Sequence, residues 1–90
     1  MKHNLTFNPG AFDNYKEWAT TDKQIFKKIN EIIQSIDRTP FGGIGKPEPL
    51  KHSLSGYWSR RINDEHRLVY TVNETGILIL SCKYHYNDLP

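Results

Sequence analysis

The sequence predicts a small α+β domain, with an N-terminal strand and two helices packed on one face of a small, mainly antiparallel twisted sheet. Two consecutive segments repeat apolar residues at helical spacing, and three strand-like segments separated by turn residues follow them. Grouped helices and strands are typical of α+β folds, whereas alternation is typical of α/β folds. The chain of 90 residues has the length of one domain, here residues 1–90.

The first strand and the first helix are predicted near the N-terminus. Leu5 and Phe7 alternate with polar residues, and Asn8 and Pro9 then supply a helix N-cap and a first-turn proline. The apolar stripe of this helix consists of Ala11, Phe12, Tyr15, Trp18 and Ala19.

The second helix is predicted to begin at a capping box formed by Thr21 and Gln24. Its apolar residues recur every three or four positions, with lysines on the opposite face, and they are Ile25, Phe26, Ile29, Ile32, Ile33 and Ile36. The stripes of both helices indicate a hydrophobic core.

A stiff loop is predicted from residue 39 to residue 49, because this stretch holds three prolines and three glycines. Pro47 and Pro49 flank Glu48 and restrict its backbone, so the Glu48 carboxylate is held with little conformational freedom. The residues leave two interpretations open, a positioned functional carboxylate or a proline-rich connector with one exposed acid.

Three antiparallel strands are predicted after this loop. Residues 57–63 and 66–72 form a hairpin, and residues 73–76 turn the chain into a last strand at residues 77–84. The unbroken apolar run ILIL in the last strand predicts an interior strand buried on both faces.

The composition is that of an ordinary globular protein, with 37% hydrophobic and 24% charged residues. No run approaches the roughly 20 apolar residues of a membrane helix, and the N-terminus lacks the apolar centre of a signal peptide. We therefore expect a cytoplasmic protein without membrane association. The single cysteine, Cys82, follows an apolar run and is interpreted as a small buried hydrophobe.

Positive charge is concentrated in one part of the chain. The net charge is +2, and the stretch from residue 46 to residue 67 holds five basic residues against three acidic ones. The basic residues are Lys46, Lys51, Arg60, Arg61 and Arg67. Such a local field favours anions such as phosphate, although many charge clusters are merely solvated surfaces.

The hairpin register decides what its arginines can do. If Asn63, Asp64 and Glu65 form the loop, Arg61 lies directly opposite Arg67 on the same face of the sheet. Two opposed cations are destabilising unless an anion joins them, and arginine matches phosphate in geometry and charge. A two-residue loop would instead point the arginines to opposite faces. A phosphate site and a solvated hairpin both remain open.

The chain ends with a histidine between two tyrosines. His85 follows the strand predicted beside the arginine hairpin, and Tyr84 and Tyr86 are able to stack on bases or bind phosphate. The other histidines are interpreted as residues without a functional role, and they are His3, His52 and His66.

Together these residues suit cleavage of RNA without a metal ion. That reaction needs a base for the 2′-hydroxyl proton, cations for the phosphorane charge and an acid for the leaving 5′-oxygen. Glu48 is the candidate base, Arg67 with Arg61 the candidate charge stabilisers, and His85 the candidate acid. We expect neither a metal site nor a cofactor, because the carboxylates are scattered and the histidines lack ligand spacing.

The run RTPFGGIGKPEPLKHSLSGYWSRRINDEHRLVY and the closing KYHY resemble the YoeB (Txe) group of RelE-superfamily toxins. The helical segments DNYKEW and TDKQIFKKINEIIQSI also fit this family, so the resemblance covers nearly the whole chain. It implies a RelE-like fold of the microbial-RNase type and a ribosome-dependent messenger-RNA endonuclease.

The resemblance also implies a role for each site residue. The roles are general base for Glu48, stabilisation of the transition-state phosphate for Arg67, general acid for His85, substrate support for Tyr86, and RNA contact for Lys51 and Arg61. Tyr84 is added as an RNA-binding residue because it lies beside them.

The family implies partners as well. Its members are homodimers that enter the ribosomal A site, and a YefM/Phd-type antitoxin silences them and brings them to operator DNA.

Two alternative functions remain. ParE-like toxins share the fold and inhibit DNA gyrase, but they lack the Glu, Arg and His set. A non-catalytic subunit of an operator-binding complex would need a recognition helix, and neither predicted helix has a suitable face.

Overall fold

The computed structural model describes residues 1–84, which form two helices and a five-stranded sheet. The elements are β1 (Leu5–Phe7), α1 (Pro9–Thr21), α2 (Lys23–Arg38), β2 (Glu48–Pro49), β3 (Trp58–Arg61), β4 (Arg67–Asn73) and β5 (Gly76–Ser81), with a 3₁₀ turn at His52–Leu54. The sheet order is β1-β5-β4-β3-β2, and among these strands only the β1–β5 pair is parallel. The prediction of an α+β fold with a mainly antiparallel sheet is confirmed. In this part of the chain, neither helix is long and apolar enough to span a membrane.

Helix α1 begins as predicted. The Asn8 side chain accepts a hydrogen bond from the Gly10 N–H at 2.9 Å, and Pro9 is the first helical residue. Of the predicted apolar stripe, Ala11 and Trp18 are buried. Phe12 is exposed and packs at the edge of the core against the Phe7 ring.

The predicted capping box at Thr21 is wrong, because Asp22 caps helix α2. The Asp22 carboxylate accepts hydrogen bonds from the N–H groups of Gln24 and Ile25, both at 3.1 Å. Thr21 is instead the last residue of α1, and its hydroxyl donates to the Glu17 carbonyl. Asp22 therefore ends one helix and starts the next, as a strong N-cap residue can.

The hydrophobic core lies between the helices and one face of the sheet. Its buried members are Ala11, Trp18, Ile29, Ile32, Ile33, Ile36, Ile62, Leu68, Tyr70, Ile77, Ile79 and Cys82. β5 lies inside the sheet, as predicted, but it is not buried on both faces. Leu78 and Leu80 are only half-buried, because the two helices cover the opposite face, where Ile77 and Ile79 point.

Strand β2 was not predicted, since its two residues lie in the proline-rich stretch expected to be a loop. Glu48 and Pro49 pair with Ser59 and Trp58 of β3. An edge strand tolerates a proline, because its outer side needs no N–H donor. Strands β3 and β5 are also shorter than predicted, because the chain leaves the sheet at Ile62 and again after Ser81, whereas β4 has the predicted length and is displaced by one residue.

Asp37 anchors the N-terminal residues to the last turn of α2 through hydrogen bonds. Its buried carboxylate accepts hydrogen bonds from the backbone N–H groups of Lys2 (2.9 Å) and His3 (2.8 Å) and from Nδ1–H of His3 (2.8 Å). These bonds, the one from Lys2 foremost, lower the pKa of Asp37 from 3.8 to about 2. They also offset the unfavourable position of an anion at the negative end of a helix dipole.

We expect Asp37→Asn to weaken the dependence of stability on acid pH. A carboxylate whose pKa falls from 3.8 to about 2 on folding stabilises the fold above the higher value, and loses that effect as pH falls through the lower one. The free energy of unfolding should therefore drop more steeply between about pH 5 and about pH 2 in the native chain than in the variant. Urea titrations across this range measure the two slopes, with the exposed Asp13→Asn as control. Equal slopes for native chain and Asp37→Asn would contradict this assignment.

Candidate functional site

The residues of the candidate site lie on the sheet face that points away from the helices, here called the outer face. Residues directly opposite each other in antiparallel strands share a face. Glu48 lies opposite Ser59, and Ser59 lies opposite Val69. Because Leu68 and Tyr70, the sequence neighbours of Val69, point into the core, this row of three belongs to the outer face.

The arginine pair lies on the same outer face, two positions further along the hairpin. Arg61 is directly opposite Arg67, so the register predicted from a three-residue loop is confirmed. The cause is local, because the Asn63 side chain accepts hydrogen bonds from the N–H groups of Glu65 (2.9 Å) and His66 (2.7 Å). This turn fixes the loop length and places both arginines on one face.

The carboxylate and the arginine pair therefore border one area of the outer face. Going from Glu48 to Arg67 crosses two strand spacings, about 10 Å, and two residues along the strand, about 7 Å. Long side chains reach into such an interval from both ends. Thr71 of β4 borders this area on one side. Its hydroxyl donates to the Gly56 carbonyl at 2.9 Å and holds the loop before β3 against β4.

The side chain of Arg67 is held in place by backbone carbonyls. Its Nη1 donates to the carbonyl oxygens of Asn63 (2.5 Å) and His66 (3.1 Å). Within residues 1–84, its Nε and Nη2 donate to no protein acceptor. The opposing Arg61 is exposed. Arg67 thus offers oriented N–H donors to an anion on the outer face, and Arg61 offers a second, exposed cation.

Tyr84 is brought beside Arg67, although it lies 17 positions away in sequence. The Arg67 N–H donates to the Tyr84 carbonyl at 3.0 Å, and the Tyr84 side chain is exposed. The next two predicted site residues, His85 and Tyr86, lie outside the described residues. Lys51 is exposed and directly precedes the 3₁₀ turn that follows β2.

Arg60, one of the five basic residues counted in the stretch 46–67, does not lie on the outer face. It is fully buried on the helix side of the sheet. Its guanidinium donates five hydrogen bonds, to the hydroxyls of Tyr70 and Ser35 and to the carbonyls of Thr39, Pro40 and Ile44. The alternation of side chains along a strand was the available signal, because adjacent Arg60 and Arg61 cannot share a face.

The described residues support neither a reactive thiol nor a metal site. Cys82 is fully buried, as predicted, and burial raises the pKa of its thiol to about 12. No group of three or more His, Cys, Asp or Glu side chains in residues 1–84 is arranged to hold a metal ion.

Residues 7–86 match a protein family described as YoeB-like toxin of bacterial type II toxin-antitoxin system. Toxin YoeB of Escherichia coli O6:H1 is 60% identical over 82 residues, which are 91% of this chain and 98% of the relative. Two solved structures from Staphylococcus aureus, a YoeB dimer and a heterotetrameric YoeB-YefM toxin-antitoxin complex, have TM-scores of 0.90 and 0.88. Both are 59% identical to this chain and cover 96% of it and 100% of the matched chain. The chain therefore belongs to the YoeB family of toxins from bacterial type II toxin-antitoxin systems.

Proposed function

We propose that this toxin is an endoribonuclease that cuts messenger RNA in the ribosomal A site, without a metal ion, and thereby inhibits translation. The observation that supports this most is the outer face, where Glu48 borders the directly opposed pair of Arg61 and Arg67. Opposed cations destabilise a sheet by themselves, and a bound phosphodiester would turn that repulsion into attraction.

Glu48 acts as the general base. It removes the proton of a 2′-hydroxyl, and the 2′-oxygen attacks the neighbouring phosphorus. The pairing of β2 with β3 holds the Glu48 backbone, and Pro47 and Pro49 restrict it on both sides. The carboxylate is exposed, so it can reach a ribose that lies on the outer face.

Arg67, with Arg61 opposite, stabilises the negative charge that develops on the phosphorane. The bonds from Nη1 to two backbone carbonyls orient the Arg67 side chain before the substrate arrives. Oriented donors of this kind need no reorganisation during the reaction, which is where most electrostatic stabilisation originates.

His85 acts as the general acid. It donates a proton to the leaving 5′-oxygen as the P–O bond breaks, which yields a 2′,3′-cyclic phosphate and a 5′-hydroxyl. Tyr86 supports the substrate, and the exposed ring of Tyr84 stacks on a base. Lys51 adds a contact to the RNA backbone.

The ribosome supplies part of the alignment, so free RNA should be cut slowly. In the cell, we propose that a YefM/Phd-type antitoxin silences this chain, that the toxin forms a homodimer, and that it reaches operator DNA only through the antitoxin. The YoeB-YefM complex and the YoeB dimer of Staphylococcus aureus support these partners. Its substrate places the toxin in the cytoplasm.

Mapping the cut on programmed ribosomes tests this function. We expect primer extension to show cuts within the A-site codon, and we expect Arg67→Ala to lower the cleavage rate by about 10² to 10³, because it removes a transition-state charge stabiliser. Lys23→Ala removes an exposed cation far from the outer face and is the matched control. Intact messenger combined with inhibited DNA supercoiling by gyrase would overturn the proposal in favour of a ParE-like activity.

A further inference from the structure

We propose that His66 is a positioning residue that holds the backbone of Tyr84, the residue to which the proposed general acid His85 is bonded. The inference rests on the proposed function, in which His85 is the general acid. No role for His66 is predicted from the sequence, since a single histidine on a hairpin carries no signal of its own.

His66 makes a hydrogen bond that fixes its tautomer. The residue is 5% exposed, and its Nδ1 lies 2.8 Å from the backbone nitrogen of Tyr84. A backbone N–H is always a donor, so Nδ1 must be the acceptor and must carry no proton. The proton of the neutral ring then lies on Nε2, which is 3.5 Å from Oε1 of Glu65.

The next residue completes the attachment. The Arg67 N–H donates to the Tyr84 carbonyl at 3.0 Å, so consecutive residues of the hairpin hold both backbone polar groups of Tyr84. Tyr84 has a φ of +64°, which residues other than glycine rarely adopt. Such a conformation persists only where neighbouring contacts impose it, and His66 and Arg67 supply two of them.

Helix α1 fixes the ring of His66 and the residues before Tyr84. The Trp18 indole packs edge-on against the His66 ring, with 4.9 Å between centroids, and its Nε1 donates to the Cys82 carbonyl at 2.9 Å. Lys83 forms an ion pair with Glu17 of the same helix. Three consecutive residues at the exit of β5 are therefore each attached to α1 or to the hairpin.

The consequence follows from covalent geometry. His85 is joined to the Tyr84 carbonyl that the Arg67 N–H binds, and in the proposed reaction His85 must protonate an oxygen of the phosphate that Arg67 stabilises. A misplacement of a catalytic group by about 1 Å lowers a rate by about 10². Loss of the acceptor on His66 should therefore slow the chemical step more than it weakens substrate binding, to which Tyr84 contributes one stacked ring.

A pair of variants separates this role from packing. His66→Leu and His66→Asn have nearly the same shape and both lose the contact with Trp18, but only asparagine keeps an acceptor near the position of Nδ1. On programmed ribosomes we expect His66→Leu to lower kcat by about 10-fold to 100-fold and to change KM much less. We expect His66→Asn to restore most of this loss. Amide exchange of Tyr84, followed by NMR, should be fast in the leucine variant and slow in the asparagine variant.

The outcomes distinguish this inference from the proposed function. Equal kcat values for the two variants would overturn the positioning role while wild-type cleavage still stood. A wild-type protein that cuts no messenger would overturn the proposed function, and the catalytic role of His66 with it. If His66→Leu does not fold, His66→Gln replaces it as the variant without a usable acceptor. The glutamine oxygen lies one bond too far along the side chain to bind the Tyr84 N–H. A kcat for His66→Gln equal to that of His66→Asn would then contradict the inference.

Discussion

Glu48→Gln is expected to abolish most messenger cleavage, with a single-turnover rate on programmed ribosomes lowered by about 10² to 10⁴. Glutamine keeps the shape of the side chain and its acceptor oxygen but cannot take the 2′-hydroxyl proton at neutral pH. Because Glu48 is exposed on an edge strand, the substitution should change the free energy of unfolding by less than about 0.5 kcal/mol. Binding to the ribosome should be unchanged.

The matched control for this variant is Glu74→Gln. Glu74 is an exposed glutamate in the turn between β4 and β5, so its substitution removes the same charge without removing the proposed base. Cleavage by Glu74→Gln should match the wild type. A Glu48→Gln enzyme as fast as the wild type would exclude Glu48 as the base and leave the arginine pair as a binding site only.

Arg60→Met is expected to cause the largest loss of stability, about 3 kcal/mol or more. Methionine fills much of the space of the arginine stem but donates no hydrogen bond. Five buried or half-buried oxygens would each lose a hydrogen bond, including three carbonyls of residues 39–44 that hold this loop on the sheet. Arg60→Lys should recover little, because one ammonium cannot reproduce the five donors of a guanidinium fork.

The neighbouring residue provides the comparison. Arg61→Ala removes an exposed side chain, so its free energy of unfolding should stay within about 0.5 kcal/mol of the wild type while cleavage falls. Urea unfolding and the ribosome assay together measure this contrast between two adjacent arginines. A stable Arg60→Met protein would show that the buried guanidinium does not hold the loop.

Local chemistry explains which parts of the fold were predictable. The Asn8 cap and the periodic isoleucines of α2 are determined by neighbouring residues, and so is the Asn63 turn that sets the arginine register. Helix α2 began one residue later than predicted because Asp22, a stronger N-cap, follows Thr21. Strand β2 was missed because two residues beside prolines carry no alternation, and only the partner strand β3 makes them a strand.

In the candidate site, too, features set by local sequence were predictable and features set by distant contacts were not. The opposed arginines followed from strand pairing, whereas the roles of Arg60 and His66 depend on contacts across long sequence distances. Arg60 binds Ser35, which lies 25 positions away in the sequence, and His66 binds Tyr84, which lies 18 positions away. Only the alternation of β3 could have separated Arg60 from Arg61, and no sequence pattern joins His66 to Tyr84.

Transphosphorylation by side chains alone is tested most directly by the chemistry of the new RNA end. Programmed ribosomes, held intact by polyamines, are treated with the toxin in excess EDTA, and the 3′ ends of the cut messenger are identified by their resistance to phosphatase before and after mild acid. We predict 2′,3′-cyclic phosphate ends, formed at the same rate with and without the chelator. Ends that carry a 3′-hydroxyl, or cleavage that stops in EDTA, would contradict attack by the 2′-oxygen assisted by Glu48 and Arg67.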